Sequence, residues 1–232
     1  MKYLVTSILL FSCLTAFCGE DKGRTCRIIF PDRPHTAPRV AYLFDGERSH
    51  EVDLPSNNFT APIKLPTGEL ILVLSPDPVP ANGKLPPEAP VAQIATGISD
   101  FYLILVSDPE NEIMPARILP VDQGSERPGA GQTLWMNLTE HRILGTLGDQ
   151  SLELPAGERV VADAPLPASG YFKAEFSYQP KSEGETFPVM RKSWWFDDAS
   201  TNLGFVIESG GRLPKIFTFR DRRVAVVEEP ED

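Results

Sequence analysis

Prolines recur at short intervals along this chain, 23 in 232 residues, and that spacing governs what it can fold into. Each proline fixes its own φ, lacks an N–H donor and breaks or kinks a helix that contains it. At about twice the usual frequency, and with no single linker collecting them, they leave long helices almost no room. Short β-strands tolerate such punctuation, because proline fits strand ends, edges and turns.

The apolar pattern points the same way. Cys26 to Phe30 reads as a first strand, and Val40, Tyr42 and Phe44 alternate with Arg39, Ala41 and Leu43 before a tight turn at Asp45-Gly46. Glu69 to Leu74 and Phe101 to Val106 are apolar on both faces, as expected of central strands covered on both sides. The proline-rich stretch from Pro76 to Pro90 reads as an extended surface loop. Met114 to Val121 closes this series, and the glycines between Asp122 and Gln132 mark a boundary. A second series opens at Leu134 to Leu138, turns at Gly148-Asp149, and runs through Leu152, Leu154 and Val160-Val161. Phe172, Ala174, Phe176 and Tyr178 then alternate with Lys173, Glu175 and Ser177, the pattern of a half-buried strand. Phe187 to Phe196, Leu203 to Glu208, Ile216 to Phe219 and Val224 to Val227 complete it.

Many short strands with regular turn signals define an all-β sandwich or barrel. The expected organisation is a signal peptide over residues 1–18, two tandem immunoglobulin-like β-sandwich modules over 19–127 and 128–227, and an acidic tail over 228–232. Lys64-Leu65-Pro66-Thr67-Gly68-Glu69 recurs as Glu153-Leu154-Pro155-Ala156-Gly157-Glu158, a spacing that suits one module per copy. With the Asp-Gly turn, the Gly97 segment before Phe101-Tyr102, the Trp194-Trp195 hairpin and the closing Phe217-Thr218-Phe219-Arg220-Asp221, the chain resembles exported bacterial immunoglobulin-like repeat proteins, small secreted β-sandwich proteins of Gram-negative bacteria. The resemblance implies a fold and a compartment, and it transfers no catalytic residue.

Compartment is legible in the leader. Lys2 precedes a short apolar run from Tyr3 to Phe11, and Ala16-Phe17-Cys18 suits cleavage before Gly19, which implies a periplasmic or extracellular protein. Lipoprotein processing at Cys13 or Cys18 is the alternative. The apolar run is too short to span a bilayer, and no second run is long enough. Cys26 then stands alone beyond the leader, a buried inert thiol on its strand. A net charge of −10 repels a polyphosphate backbone, so nucleic acid is not an expected partner.

No cofactor or metal is expected, and no catalytic residue stands out. His35, His50 and His141 lie in or beside predicted turns and are expected to be solvated. One cysteine and three scattered histidines lack the short ligand spacing of a zinc site. Asp108 to Glu112 and Asp197 to Asn202 offer oxygen ligands for calcium without the twelve-residue loop pattern, and turn chemistry accounts for both. Asn58-Phe59-Thr60 and Asn137-Leu138-Thr139 match the glycosylation acceptor pattern and read as chance matches in a bacterial protein.

The functional expectation is therefore an exported, non-enzymatic binding or scaffold protein of the cell envelope, with an envelope protein as partner. A carbohydrate-binding module using exposed tryptophans is the alternative, and a carboxylate-dependent glycoside hydrolase comes third. Parity along Phe187 to Phe196 places Trp194 inward with Met190 and Phe196, and turns Trp195 outward in the row of Arg191 and Asp197. Trp195, Arg191 and Asp197 are the candidate contact residues.

Overall fold

The computed structural model describes residues 23–122, 128–180, 184–208 and 213–221. The leader, the expected strand at Val224 to Val227 and the acidic tail lie outside the described residues. Among those described there is no helix, and therefore none long and apolar enough to cross a membrane.

Sixteen strands follow one another among the described residues. The first eight are β1 (Arg24–Ile29), β2 (Val40–Phe44), β3 (Ser49–Asp53), β4 (Ile63–Leu65), β5 (Leu70–Ser75), β6 (Val91–Ile94), β7 (Asp100–Ser107) and β8 (Ala116–Asp122). The second eight are β9 (Thr133–Asn137), β10 (Arg142–Leu147), β11 (Gln150–Leu154), β12 (Arg159–Ala162), β13 (Gly170–Gln179), β14 (Phe187–Phe196), β15 (Thr201–Ile207) and β16 (Lys215–Asp221). They form four four-stranded sheets, ordered β4-β1-β7-β8, β3-β2-β5-β6, β12-β9-β15-β16 and β11-β10-β13-β14. Adding eight to each strand number of the first two sheets gives the last two. The parallel pair β1–β7 recurs as β9–β15.

That order differs from an immunoglobulin constant domain, where seven strands divide as ABED and CFG. Here each sandwich has eight strands, and the first is inserted beside the seventh, away from the second. The Leu-Pro-x-Gly repeat also occupies non-equivalent places. Its first copy joins β4 to β5, whereas its second joins β11 to β12, the counterpart of β3 to β4. It is a recurrent turn, and the symmetry of the chain lies in strand order.

The sheets stack in four layers. One core lies between the first two sheets, with Ile28, Leu43, Leu72, Leu74 and Leu103 at its centre. Another lies between the last two, around Trp135, Ile143, Leu154 and Phe176. A third joins the sandwiches: Ile29, Tyr102, Ile104 and Val106 of the first pack on Leu134, Met136, Leu203 and Phe205 of the second. The two inner sheets are thus apolar on both faces, which is why Phe101 to Val106 is buried throughout. At one margin of this joint, Asp221 on β16 accepts hydrogen bonds from the Tyr102 hydroxyl at 2.6 Å and from the Arg27 guanidinium. At the other end of β16, Lys215 reaches Asp32 at 2.7 Å.

β5 departs from the expectation of cover on both sides. It is central in its sheet, and Val73 is covered from outside by Val79 and Ala89 of the proline-rich stretch, but Ile71 is 53% exposed. The Pro76 to Pro90 segment folds back as a partial cover, held by reciprocal hydrogen bonds between Ser49 Oγ and the backbone of Val79. Asp45-Gly46 does form the β2–β3 turn. The Asp45 side chain accepts from the N–H groups of Glu47 and Arg48 at 2.9 and 2.8 Å.

Candidate functional site

β13 and β14 are both ten residues long and pair side by side from Gly170↔Phe196 to Tyr178↔Phe187. β10 supports β13 only as far as Leu147↔Ala174, so Gly170 to Lys173 and their partners Ser193 to Phe196 overhang the sheet. Five aromatic side chains occupy this overhang: Phe196, buried opposite Gly170, and two cross-strand pairs. Because successive side chains alternate faces, Phe172 and Trp194 are paired inward, whereas Tyr171 and Trp195 are paired outward. The bulge on β14 lies at Val189, before Arg191, and leaves the parity of the tryptophans intact.

Trp194 is inward as expected. Its ring stacks on Trp135 at 6.1 Å and meets Phe176 at 5.6 Å, yet it is only half-buried because it stands beyond the supporting strands. Trp135 is 1% exposed and fits because β15 has Gly204 opposite it, where any Cβ would overlap the indole. Beneath Trp194 and Phe172 lies a cavity of about 50 Å³, with Thr133, Asn202 and Thr218 of the facing sheet along it. The indole N–H of Trp135, which lines the same cavity, is buried without an acceptor among the described residues.

Trp195 is 49% exposed and Tyr171 is 71% exposed, with ring centroids 4.9 Å apart in an edge-to-face arrangement. The three sequence candidates do not form one cluster. Arg191 lies four residues along the strand from Trp195, about 13 Å at strand rise, and pairs with Glu175 at 2.6 Å. Asp197 turns toward Arg220 of β16 at 3.7 Å and accepts the N–H of Ala199. The neighbour that sequence reasoning missed is Tyr171. Its signal was available, since it precedes Phe172 and therefore belongs to the outward row of Lys173 and Glu175.

The other residues singled out earlier have local tasks. Burial pushes the Cys26 thiol up to about 12, which leaves it protonated and inert. Asn137 is fully buried, donates to the carbonyls of His141, Leu154 and Pro155, and accepts from Thr139, so it ties the β9–β10 turn to the Leu-Pro corner. Asn111 Oδ1 accepts the N–H groups of Ile113 and Met114, and Asp198 accepts from Ser169 Oγ at 2.6 Å, so both suspected cation loops use these side chains as turn braces.

Two histidines correct the expectation of solvation. His141 is half-buried against Tyr178, with its Nδ1 enclosed. His50 Nε2 lies 2.6 Å from the buried carboxylate of Asp45. Burial alone raises the Asp45 carboxyl. The bonds from His50 and from the N–H groups of Arg48 and Glu47 outweigh it and hold the carboxyl below its ordinary range.

No protein-family model matches the chain, and no curated protein matches it closely enough to count as a relative.

Proposed function

We propose that this is an exported, non-enzymatic binding protein of the cell envelope, and that its ligand is a polysaccharide held on the outer face of the β13–β14 overhang. The observation that carries the reading is the exposed Tyr171–Trp195 pair, two adjacent rings on a rigid strand pair. Aromatic faces stack on the C–H faces of sugar rings, while their polar edges and polar neighbours receive hydroxyls. The rest of this face is polar: Lys173 and Ser193 come next, then Glu175 and Arg191. An isolated aromatic pair in a polar surround suits a saccharide better than a protein interface, whose centre is a larger apolar patch.

The free edge of β14 also disfavours strand addition by a protein, because Pro188, the bulge and the charged Lys192 blunt it. Export rests on the leader pattern. The reading as a binder is supported by the carboxylates that follow β14, Asp197 and Asp198, which are engaged in turn hydrogen bonds and in the approach to Arg220.

Electrophoresis through gels containing a panel of cell-wall and storage polysaccharides tests this. At least one polysaccharide should retard the protein, and Trp195→Ala should abolish the retardation. Free migration through every gel, together with recovery of a specific envelope protein that Trp195→Ala releases, would replace the saccharide with a protein partner.

A further inference from the structure

The proposed saccharide face has a second surface immediately behind it. Resting on that reading, we propose that the cavity beneath Trp194 receives the acetamido group of an N-acetylated amino sugar, in a saccharide that passes round the free edge of β14.

Size comes first. A cavity of about 50 Å³ is too small for a sugar ring, but it takes a few waters or a pendant group of about four non-hydrogen atoms. The cavity reaches solvent, since Thr218 beside it is exposed and Trp194 is half-buried.

Chemistry narrows the occupant. The buried Trp135 N–H has no acceptor among the described residues, and leaving such a donor dry is unfavourable. An acetamido carbonyl supplies an acceptor. The hydroxyls of Thr133 and Thr218 and the amide of Asn202 can accept the acetamido N–H. Phe172 and Trp194 give its methyl an apolar wall. A hydroxyl group in the same place would leave that wall unfilled.

Position connects the two surfaces. β14 is the last strand of its sheet, and Trp194 and Trp195 are neighbours on opposite faces of it. A chain molecule crossing this edge meets Trp195 with one residue and the cavity with the next.

The test uses the full-length chain and tryptophan fluorescence titration with two tetrasaccharides of the same backbone linkage. One is the N-acetylglucosamine tetramer, and the other is cellotetraose, which has a hydroxyl in place of each acetamido group. The N-acetylated sugar should bind at least tenfold tighter. Asn202→Leu and, at an exposed position, Thr218→Val should each cut that preference below threefold without weakening cellotetraose, whereas Trp195→Ala should weaken both sugars. Equal affinity for the two sugars, or a preference that survives both cavity variants, would overturn the cavity proposal and leave the binding face standing. Binding of neither sugar would overturn the cavity proposal as well, and the polysaccharide panel then decides the broader reading on its own.

Discussion

The two sandwiches share one strand order and differ at one corner. Leu43 and Leu147 are the last core-facing residues of β2 and β10, and they pair with Leu74 and Ala174. Counting outward from these pairs, Leu72↔Ala92 in the first sandwich corresponds to Phe172↔Trp194 in the second, and Ile71↔Gln93 corresponds to Tyr171↔Trp195. In the first sandwich the small Ala92 lets β6 lie against β8, and the inward pair is fully buried. In the second, bulky rings take both rows, and a small cavity remains beside the point where Trp194 stacks on Trp135 of the facing sheet. The same fold is thus closed at one corner by small side chains and furnished at the other with two aromatic pairs. The outward pair lies outside the buried cores, and on the proposed function it is this difference that serves recognition.

The largest effect expected concerns the residue under the aromatic corner. Trp135→Ala should destabilise the protein by about 3–5 kcal/mol in urea denaturation, the usual penalty for emptying a large buried aromatic site. A loss below about 1 kcal/mol would mean that the second core does not depend on this ring.

Exchanging the corners sharpens the comparison. Ala92→Trp should destabilise by about 3 kcal/mol through overpacking, because Ala92 is buried between closed strands. Trp194→Ala should cost only about 2 kcal/mol, since its ring is incompletely buried. If the first change is tolerated better than the second, the first corner is not closed.

The turns between β2 and β3 and between β10 and β11 differ as well, the former braced by buried Asp45 and the latter a two-residue Gly148-Asp149 connection. Asp45→Asn should cost about 1–2 kcal/mol at neutral pH, where the wild-type carboxylate accepts charge-assisted bonds. The sign follows from a folded value held below the unfolded one: the contribution is complete above the unfolded value, about 3.9, and fades as pH falls through the lower folded value. Stability curves for the two proteins should therefore converge in acid, and a gap that widens there would show that Asp45 is not stabilised as the carboxylate.

Much of this fold was readable because strand parity and proline spacing act locally. Phe101 to Val106 and Phe172 to Tyr178 announced a doubly covered and a half-covered strand, and the split of Trp194 from Trp195 followed from parity alone. β3, with only Val52 of its five residues buried, gave too little apolar signal to be seen as a strand. β6 and β10 were missed because a short strand and one carrying Gly145 hardly alternate. The strand order and the face-to-face stacking of the inner sheets depend on long-range pairing, which no local pattern encodes. At the proposed site, the outward orientation of Trp195 was legible in the sequence, whereas Tyr171 is brought beside it only by the β13–β14 register. Arg191 and Asp197 shared its row, but partners on β13 and β16 draw them apart.

Trp195→Ala should shift stability by no more than about 0.5 kcal/mol, as for an exposed position, and that small effect makes it a clean probe of the central claim. The most direct measurement is the affinity of a retarding polysaccharide for matched variants of the two corners. Tyr171→Ala and Trp195→Ala should each weaken binding at least tenfold, while Ile71→Ala and Gln93→Ala leave it unchanged. Binding that survives loss of both rings, or that falls equally with the first-sandwich variants, would contradict the assignment of recognition to the β13–β14 overhang.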